Sequence, residues 1–98
     1  MKLNLLLDQI EVEKIHKNIS NNVKNARLKK GVSQLDIATT MGFKSATFYS
    51  NAEGNMYGKH FNIEHIFMIA KYLQIDPCSL IYQGQKRGVA FKKQLQDL

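Results

Sequence analysis

Apolar residues recur along this chain at steps of three and four. Ile15, Ile19, Val23 and Ala26 keep that step, which puts them on one face of a helix. That helix is expected to end near Gly31, a residue suited to the position just past a C-terminus. Lys29 and Lys30 then fall in its last turn, where positive charge suits the helix dipole. Ser33 reads as an N-cap, because its hydroxyl can accept from a free backbone N–H. Leu35, Ile37, Ala38 and Met41 follow as a short second helix that stops at Gly42. Ser45 is the next cap, opening a third helix over residues 46–53 with Tyr49 and Ala52 inward and a stop at Gly54. Residues 55–61 are a loop by composition. Asn62 caps a fourth helix, whose Ile63, Ile66, Phe67, Ile69, Ala70 and Leu73 make a broad apolar stripe. Asp76-Pro77 is a cap followed by proline at the first helical position, which starts a fifth helix through Cys78, Leu80 and Ile81.

The beginning of the chain has a second apolar set. Leu3, Leu6, Leu7 and Ile10 form a helical face that can run on into the first helix. It can pack on its own core, pack on a second chain, or be a frayed arm. Packing of some kind is favoured, because four exposed large aliphatics are an aggregation liability.

No useful strand-like alternation and no long repeat occurs. The expected class is all-α, five short helices forming one domain. Residues 1–17 are an N-terminal extension, residues 18–83 the domain, and residues 84–98 a basic tail. A length of 98 residues leaves no room for a second full core. An apolar fraction of 44% argues against wholesale disorder. The chain has one Cys, so no internal disulfide and no Cys-based zinc site can form within it. That usage suits a reducing cytoplasm. Leu5-Leu6-Leu7 is far shorter than the ~20 apolar residues of a membrane span, and too short for a signal-peptide core. The chain is therefore expected to be soluble and intracellular.

Net charge is +6, which makes an anionic partner worth testing, nucleic acid ahead of membrane. The excess is local. Residues 18–60 hold Lys24, Arg27, Lys29, Lys30, Lys44 and Lys59 against Asp36 and Glu53. The tail holds Lys86, Arg87, Lys92 and Lys93 against Asp97, and can serve solubility alone.

The informative stretch is 32–53. Two short helices joined by the tight turn Met41-Gly42-Phe43 make a helix-turn-helix. Arg27, Gly31, Ser33, Gln34, Ile37, Ala38, Gly42 and Glu53, followed by the aliphatic helix "NIEHIFMIAKYLQID", stand in an ordered set. In this set the chain resembles the Cro/phage-repressor (XRE) family of DNA-binding domains over residues 18–82. It departs from the family in three places. The interval from Gly42 to Glu53 is one residue longer than the commonest spacing. The loop after Glu53 is about two residues longer than usual, and Phe61 stands where many members have proline. Fixing the register on the turn would put Ala52 where the family has Glu; Glu53 is preferred, since it leaves Tyr49 and Ala52 inward.

The resemblance implies a lambda-repressor-like fold and a sequence-specific regulator of transcription, a repressor, that binds double-stranded DNA as a homodimer. By family register Ala46, Thr47 and Asn51 face the bases. Thr47 can offer a hydroxyl or a methyl, and Asn51 can pair bidentately with adenine. Gln34, Lys44, Ser45, Phe48, Asn55, Tyr57 and Lys59 fall where the phosphate backbone is gripped. Gln34 can donate to a phosphate at its helix N-terminus, brace the recognition helix, or be a plain surface residue. Phe48 can press on the groove edge or belong to the core, and Ser50 is expected in solvent or against phosphate. Arg27 and Glu53 match a semi-buried ion pair of phage repressors. With Arg27 committed there, the DNA-facing charge rests on Lys44, Lys59 and the Lys29-Lys30 pair.

His16, His60 and His65 have no metal-ligand spacing, and Cys78 reads as a small buried apolar residue. No nucleophile–base grouping and no glycine-rich phosphate loop occurs. The expectation is a protein that is no enzyme, needs no metal or cofactor, and does not bind membrane. Antitoxins also carry this fold, so a protein partner such as a toxin, held by the N-terminal segment or the tail, is the alternative.

Overall fold

The computed structural model describes residues 2–82, with side chains from Asp8 onward. The side chains of Leu3, Leu6 and Leu7 and the whole basic tail lie outside the described residues. Among the described residues the chain is entirely helical. It runs α1 (Lys2–Lys29), α2 (Gln34–Met41), α3 (Ala46–Glu53), α4 (Ile63–Leu73) and α5 (Pro77–Tyr82). The five-helix expectation holds, and the N-terminal segment is one continuous helix with the first helix of the core.

Local chemistry sets each boundary. Ser33 caps α2 by accepting from the Asp36 N–H at 3.0 Å, and Ser45 caps α3 by accepting from the Phe48 N–H at 3.0 Å. Each satisfies one of the free donors at a helix start. Asn62 caps α4 reciprocally: its Oδ1 accepts from the His65 N–H at 2.8 Å, and His65 Nδ1 accepts from the Asn62 N–H at 3.3 Å. Gly42 ends α2 with φ 75°, a left-handed conformation that costs a Cβ-bearing residue about 1–2 kcal/mol. Gly54 has φ −83°, and Asn55 takes the left-handed position at φ 54°. Glycine serves at 54 for closeness instead: a Cβ there would lie 3.2 Å from the Ser50 carbonyl oxygen.

One core joins all five helices. It contains Ile19 and Val23 of α1, Ile37 and Ala38 of α2, and Tyr49 and Ala52 of α3; Ile66, Ile69, Ala70 and Leu73 of α4 and Leu80 of α5 complete it. Phe61 is 2% exposed and closes the core from the loop before α4. Each such aliphatic or aromatic side chain contributes about 1.5–3 kcal/mol on burial. Polar ties fix the helices on this core. Ser20 Oγ donates to the Ala52 carbonyl at 3.0 Å, and Asn22 Nδ2 donates to the Leu80 carbonyl at 2.8 Å.

Four expectations are corrected. Ile15 is 41% exposed, because the core first meets α1 beyond His16. Leu35 is exposed on the outer side of α2. Ile63 and Phe67 are also exposed, so the buried stripe of α4 narrows to Ile66, Ile69, Ala70 and Leu73. Cys78 is exposed. It sits in the first turn of α5 with its N–H bonded to Asp76 Oδ1 at 2.9 Å, while Leu80 takes the inward position. No described helix is long and apolar enough to cross a membrane.

Candidate nucleic-acid interface

The third helix is held by an internal ion pair. Arg27 Nε donates to Glu53 Oε2 at 2.9 Å and Arg27 Nη2 to Glu53 Oε1 at 3.0 Å, a two-point contact between α1 and the end of α3. Arg27 Nη1 also donates to the Val32 carbonyl at 2.7 Å, tying in the turn before α2. Gln34 Nε2 donates to Glu53 Oε1 at 3.1 Å, so Gln34 braces α3 from the start of α2. One carboxylate thus fastens three elements. Burial acts to raise the Glu53 pKa; hydrogen bonds from Arg27 and Gln34 and the charge of Arg27 outweigh it and hold it below the ordinary value. Arg27 is correspondingly raised, first by its hydrogen bond to Glu53. Tyr49 faces the same carboxylate with its hydroxyl buried, in no hydrogen bond of acceptable geometry. Burial first, and then that carboxylate, raise its pKa.

A second support is aromatic. Phe43, in the turn between α2 and α3, lies 5.4 Å from Tyr49, 5.8 Å from Phe48, 6.4 Å from Phe61 and 4.8 Å from His65, ring centre to ring centre. Phe48 is therefore half-buried at the rim of this cluster, between the core and groove-edge positions expected of it. Lys59 Nζ stands 5.9 Å from the Phe48 ring centre, within cation–π range. That contact draws the loop after α3 onto the first turn of α3.

With Tyr49, Ala52 and Glu53 buried, the other residues of α3 form its outer side. Thr47 is exposed, and Ala46, Phe48, Ser50 and Asn51 are half-exposed. Ser50 turns its hydroxyl back to the Thr47 carbonyl at 3.1 Å. Lys44 and Ser45 are exposed just before α3; Tyr57 is 79% exposed, Lys59 is exposed and Asn55 is half-exposed just after it. The residues expected at bases and at backbone are thus on or beside one helix, apart from Gln34, which opens α2 and reaches α3 through Glu53.

Beside α3 runs an open groove of about 490 Å³, bordered by Lys17, Asn21 and Lys24 of α1, Gln34, Ser50 and Asn55. Lys17, Asn21 and Lys24 were not among the expected site residues. Their signal is present in the chain, since they keep steps of four and three on the polar side of α1, opposite Ile19 and Val23. Lys29 and Lys30, expected with the DNA-facing charge, instead border a separate cleft with Ile75 and Ser79 beside α5. Among the described residues, no group of three or more His, Cys, Asp or Glu is placed to hold a metal ion. No family model, no curated protein and no solved structure matches this chain.

Proposed function

We propose that this chain is a sequence-specific DNA-binding regulator of transcription, a repressor that acts in the cytoplasm as a homodimer on a two-fold operator. The observation that carries the reading is the presentation of α3. Its outer residues Thr47 and Asn51 are solvent-facing, its inner end is clamped by Arg27 and Glu53, and cations stand on both sides of it. The ordered resemblance from Arg27 to Glu53 supports the same reading.

In this reading α3 enters the major groove, where base pairs present distinct donor and acceptor patterns. Asn51 reads adenine, Thr47 and Ala46 contact neighbouring bases, and Phe48 presses on the groove edge. Lys44, Ser45, Asn55, Tyr57 and Lys59 grip phosphates, with Lys17 and Lys24 extending the contact along the groove beside α1. Gln34 holds Glu53 and can offer its second amide hydrogen to a phosphate. Half-sites lie about one helical turn, ~34 Å, apart.

Selection of bound DNA from a random library tests this, with a two-fold consensus expected. Asn51→Ala is expected to relax preference at one position of each half-site, a loss of about 1–3 kcal/mol of discrimination. Lys59→Ala is expected to weaken all sequences alike and to reduce the salt slope by about one. Scrambled DNA competing as well as the selected site would remove the claim of specificity. A second reading, an antitoxin-type DNA binder that also holds a protein, is favoured by one observation: Ile10, Val12 and Ile15 are exposed along the first half of α1. Stoichiometric co-purification of a toxin-like partner supports that reading.

A further inference from the structure

Helix α4 buries Ile66, Ile69, Ala70 and Leu73 and turns a second apolar face outward. Ile63 is 82% and Phe67 61% exposed, and Met68 and Tyr72 are exposed beside them. Of the twelve large hydrophobic side chains exposed among the described residues, these four share one short helix, so the exposure is concentrated on it. Single exposed apolar residues are ordinary, whereas a contiguous apolar patch rimmed by polar groups marks a surface that meets a partner.

The charges on this face have a definite order. Steps of four make two adjacent lines, Ile63, Phe67 and Lys71 in one and Glu64, Met68 and Tyr72 in the other. One line ends in a cation and the other begins with an anion. Glu64 and Lys71 are both exposed, and two helical turns, about 10.5 Å, separate them. They are too far apart to pair with each other, and among the described residues neither is in an ion pair.

A second copy of the same face answers this order. Laid antiparallel about a two-fold axis at the level between Phe67 and Met68, it brings its Lys71 opposite Glu64 and its Glu64 opposite Lys71, as an isologous contact requires. Phe67 then lies beside Phe67 of the second copy, and Met68 beside its Met68. Ile63 and Tyr72 flank the two ion pairs. Parallel alignment would set Glu64 on Glu64 and Lys71 on Lys71, so charge selects the antiparallel pair. The four apolar side chains and the stems of Glu64 and Lys71, counted from both copies, bury on the order of 1,000 Å², the lower bound of a specific interface. That area fits a dimer in exchange with its monomer.

We propose that the outer face of α4 is where two copies of this chain meet, antiparallel, with Phe67 and Met68 at the centre and a Glu64–Lys71 pair at each end. The proposal rests on the homodimer of the reading above and on no other part of it. It supplies the contact that holds the two copies, and it needs neither α3 nor DNA.

Sedimentation velocity of the full chain without DNA tests it, with a monomer–dimer equilibrium expected in the micromolar range. Glu64→Lys sets cations opposite one another and is expected to weaken the dimer about tenfold or more. Lys71→Glu does the same with anions. Glu64→Lys with Lys71→Glu is expected to restore the dimer, because the swapped charges are again complementary. Both positions are exposed, so each variant is expected to keep the helical circular dichroism of the parent. In a Cys78→Ser background, Met68→Cys is expected to link two chains under mild oxidation, while Leu28→Cys, exposed on α1, is expected not to. A chain that stays monomeric at every concentration would overturn the proposal, including the case in which another part of the chain covers this face. A dimer that Glu64→Lys leaves intact, or that the double swap fails to restore, would overturn this contact and leave the homodimer standing. A dimer with the expected responses that selects no DNA would support the contact and remove the DNA-binding reading.

Discussion

Glu53→Gln keeps the shape of the side chain and removes its charge, leaving the Arg27 guanidinium inside the protein without a counterion. The two side chains are 8% and 2% exposed, so water cannot take over the lost partner. The wild-type contact consists of two Arg27–Glu53 hydrogen bonds of 2.9 and 3.0 Å, and Gln34 adds a third to the same carboxylate. Hydrogen bonds to charged groups contribute about 1.5–3 kcal/mol each, and breaking one side of a buried ion pair costs about 3–5 kcal/mol. A loss in that range is expected in urea denaturation, read as a lower midpoint at unchanged slope. It is a large part of the ~5–15 kcal/mol that a domain has in total, so the variant can fail to fold. Arg27→Met with Glu53→Leu removes both charges and is expected to recover most of the stability, as paired replacement of buried ions does. The pH dependence has a definite sign. The Glu53 pKa is lower in the folded chain than its ordinary 4.5. Its contribution is therefore fully present above 4.5 and is lost as pH falls through the folded value, a slope that Glu53→Gln lacks. A loss below about 1 kcal/mol for Glu53→Gln would place the pair among exposed ones and refute the clamp.

Three further outcomes are expected. Tyr49→Phe removes a buried hydroxyl that has no good partner, so stability should stay level or rise by up to about 1 kcal/mol; a fall of more than that in urea midpoints would show that the hydroxyl is bonded to Glu53. His16 stacks on His60 at 3.8 Å with its pKa lowered, first by burial and then by His60. Neutral His16 therefore stabilises the fold above its ordinary 6.5, and that contribution is lost as pH falls from there through the folded value. His16→Phe should flatten the difference between denaturation at pH 7.5 and pH 5.5, with the slope of the same sign from half-buried His65 remaining. Gln74 ends α4 in the left-handed conformation at φ 58°. Gln74→Gly should raise the melting temperature by the equivalent of about 0.5–1 kcal/mol, and a decrease would show that the side chain has a role in packing.

Helix existence, order and ends were legible because they are local. Ser33, Ser45 and Asn62 stand next to the donors they cap, Pro77 can only open a helix, and Gly42 supplies a left-handed turn without cost. The inward pair Tyr49 and Ala52 also followed from spacing, and with it the register that puts Glu53 at the end of α3. That choice is what brings Glu53 to Arg27. The placement of Thr47, Asn51, Lys44 and Lys59 on or next to one short helix was legible to the same degree.

Tertiary structure decided whatever depends on what stands opposite a residue. Ile15, Leu35, Ile63 and Phe67 carry the same apolar signal as Ile19 or Ile66, yet among the described residues they stay exposed, because hydrophobicity fixes a preference for burial and not the presence of a neighbour. Cys78 is exposed for the same reason: six-residue α5 has room for one fully inward position, and Leu80 holds it. Gln34 could have faced a phosphate, the solvent or Glu53; the approach of α1 to α3 through Arg27 placed the carboxylate within its reach. Lys17 and Lys24 came to lie beside α3, and Lys29 and Lys30 beside Ile75 and Ser79, through which side and which end of α1 each neighbouring helix packs against. The sequence by itself determined five helices, their caps and which residues of α3 face outward. Which charges share that surface was decided by long-range packing, because residues separated along the chain become neighbours only once the core has set the helices against one another.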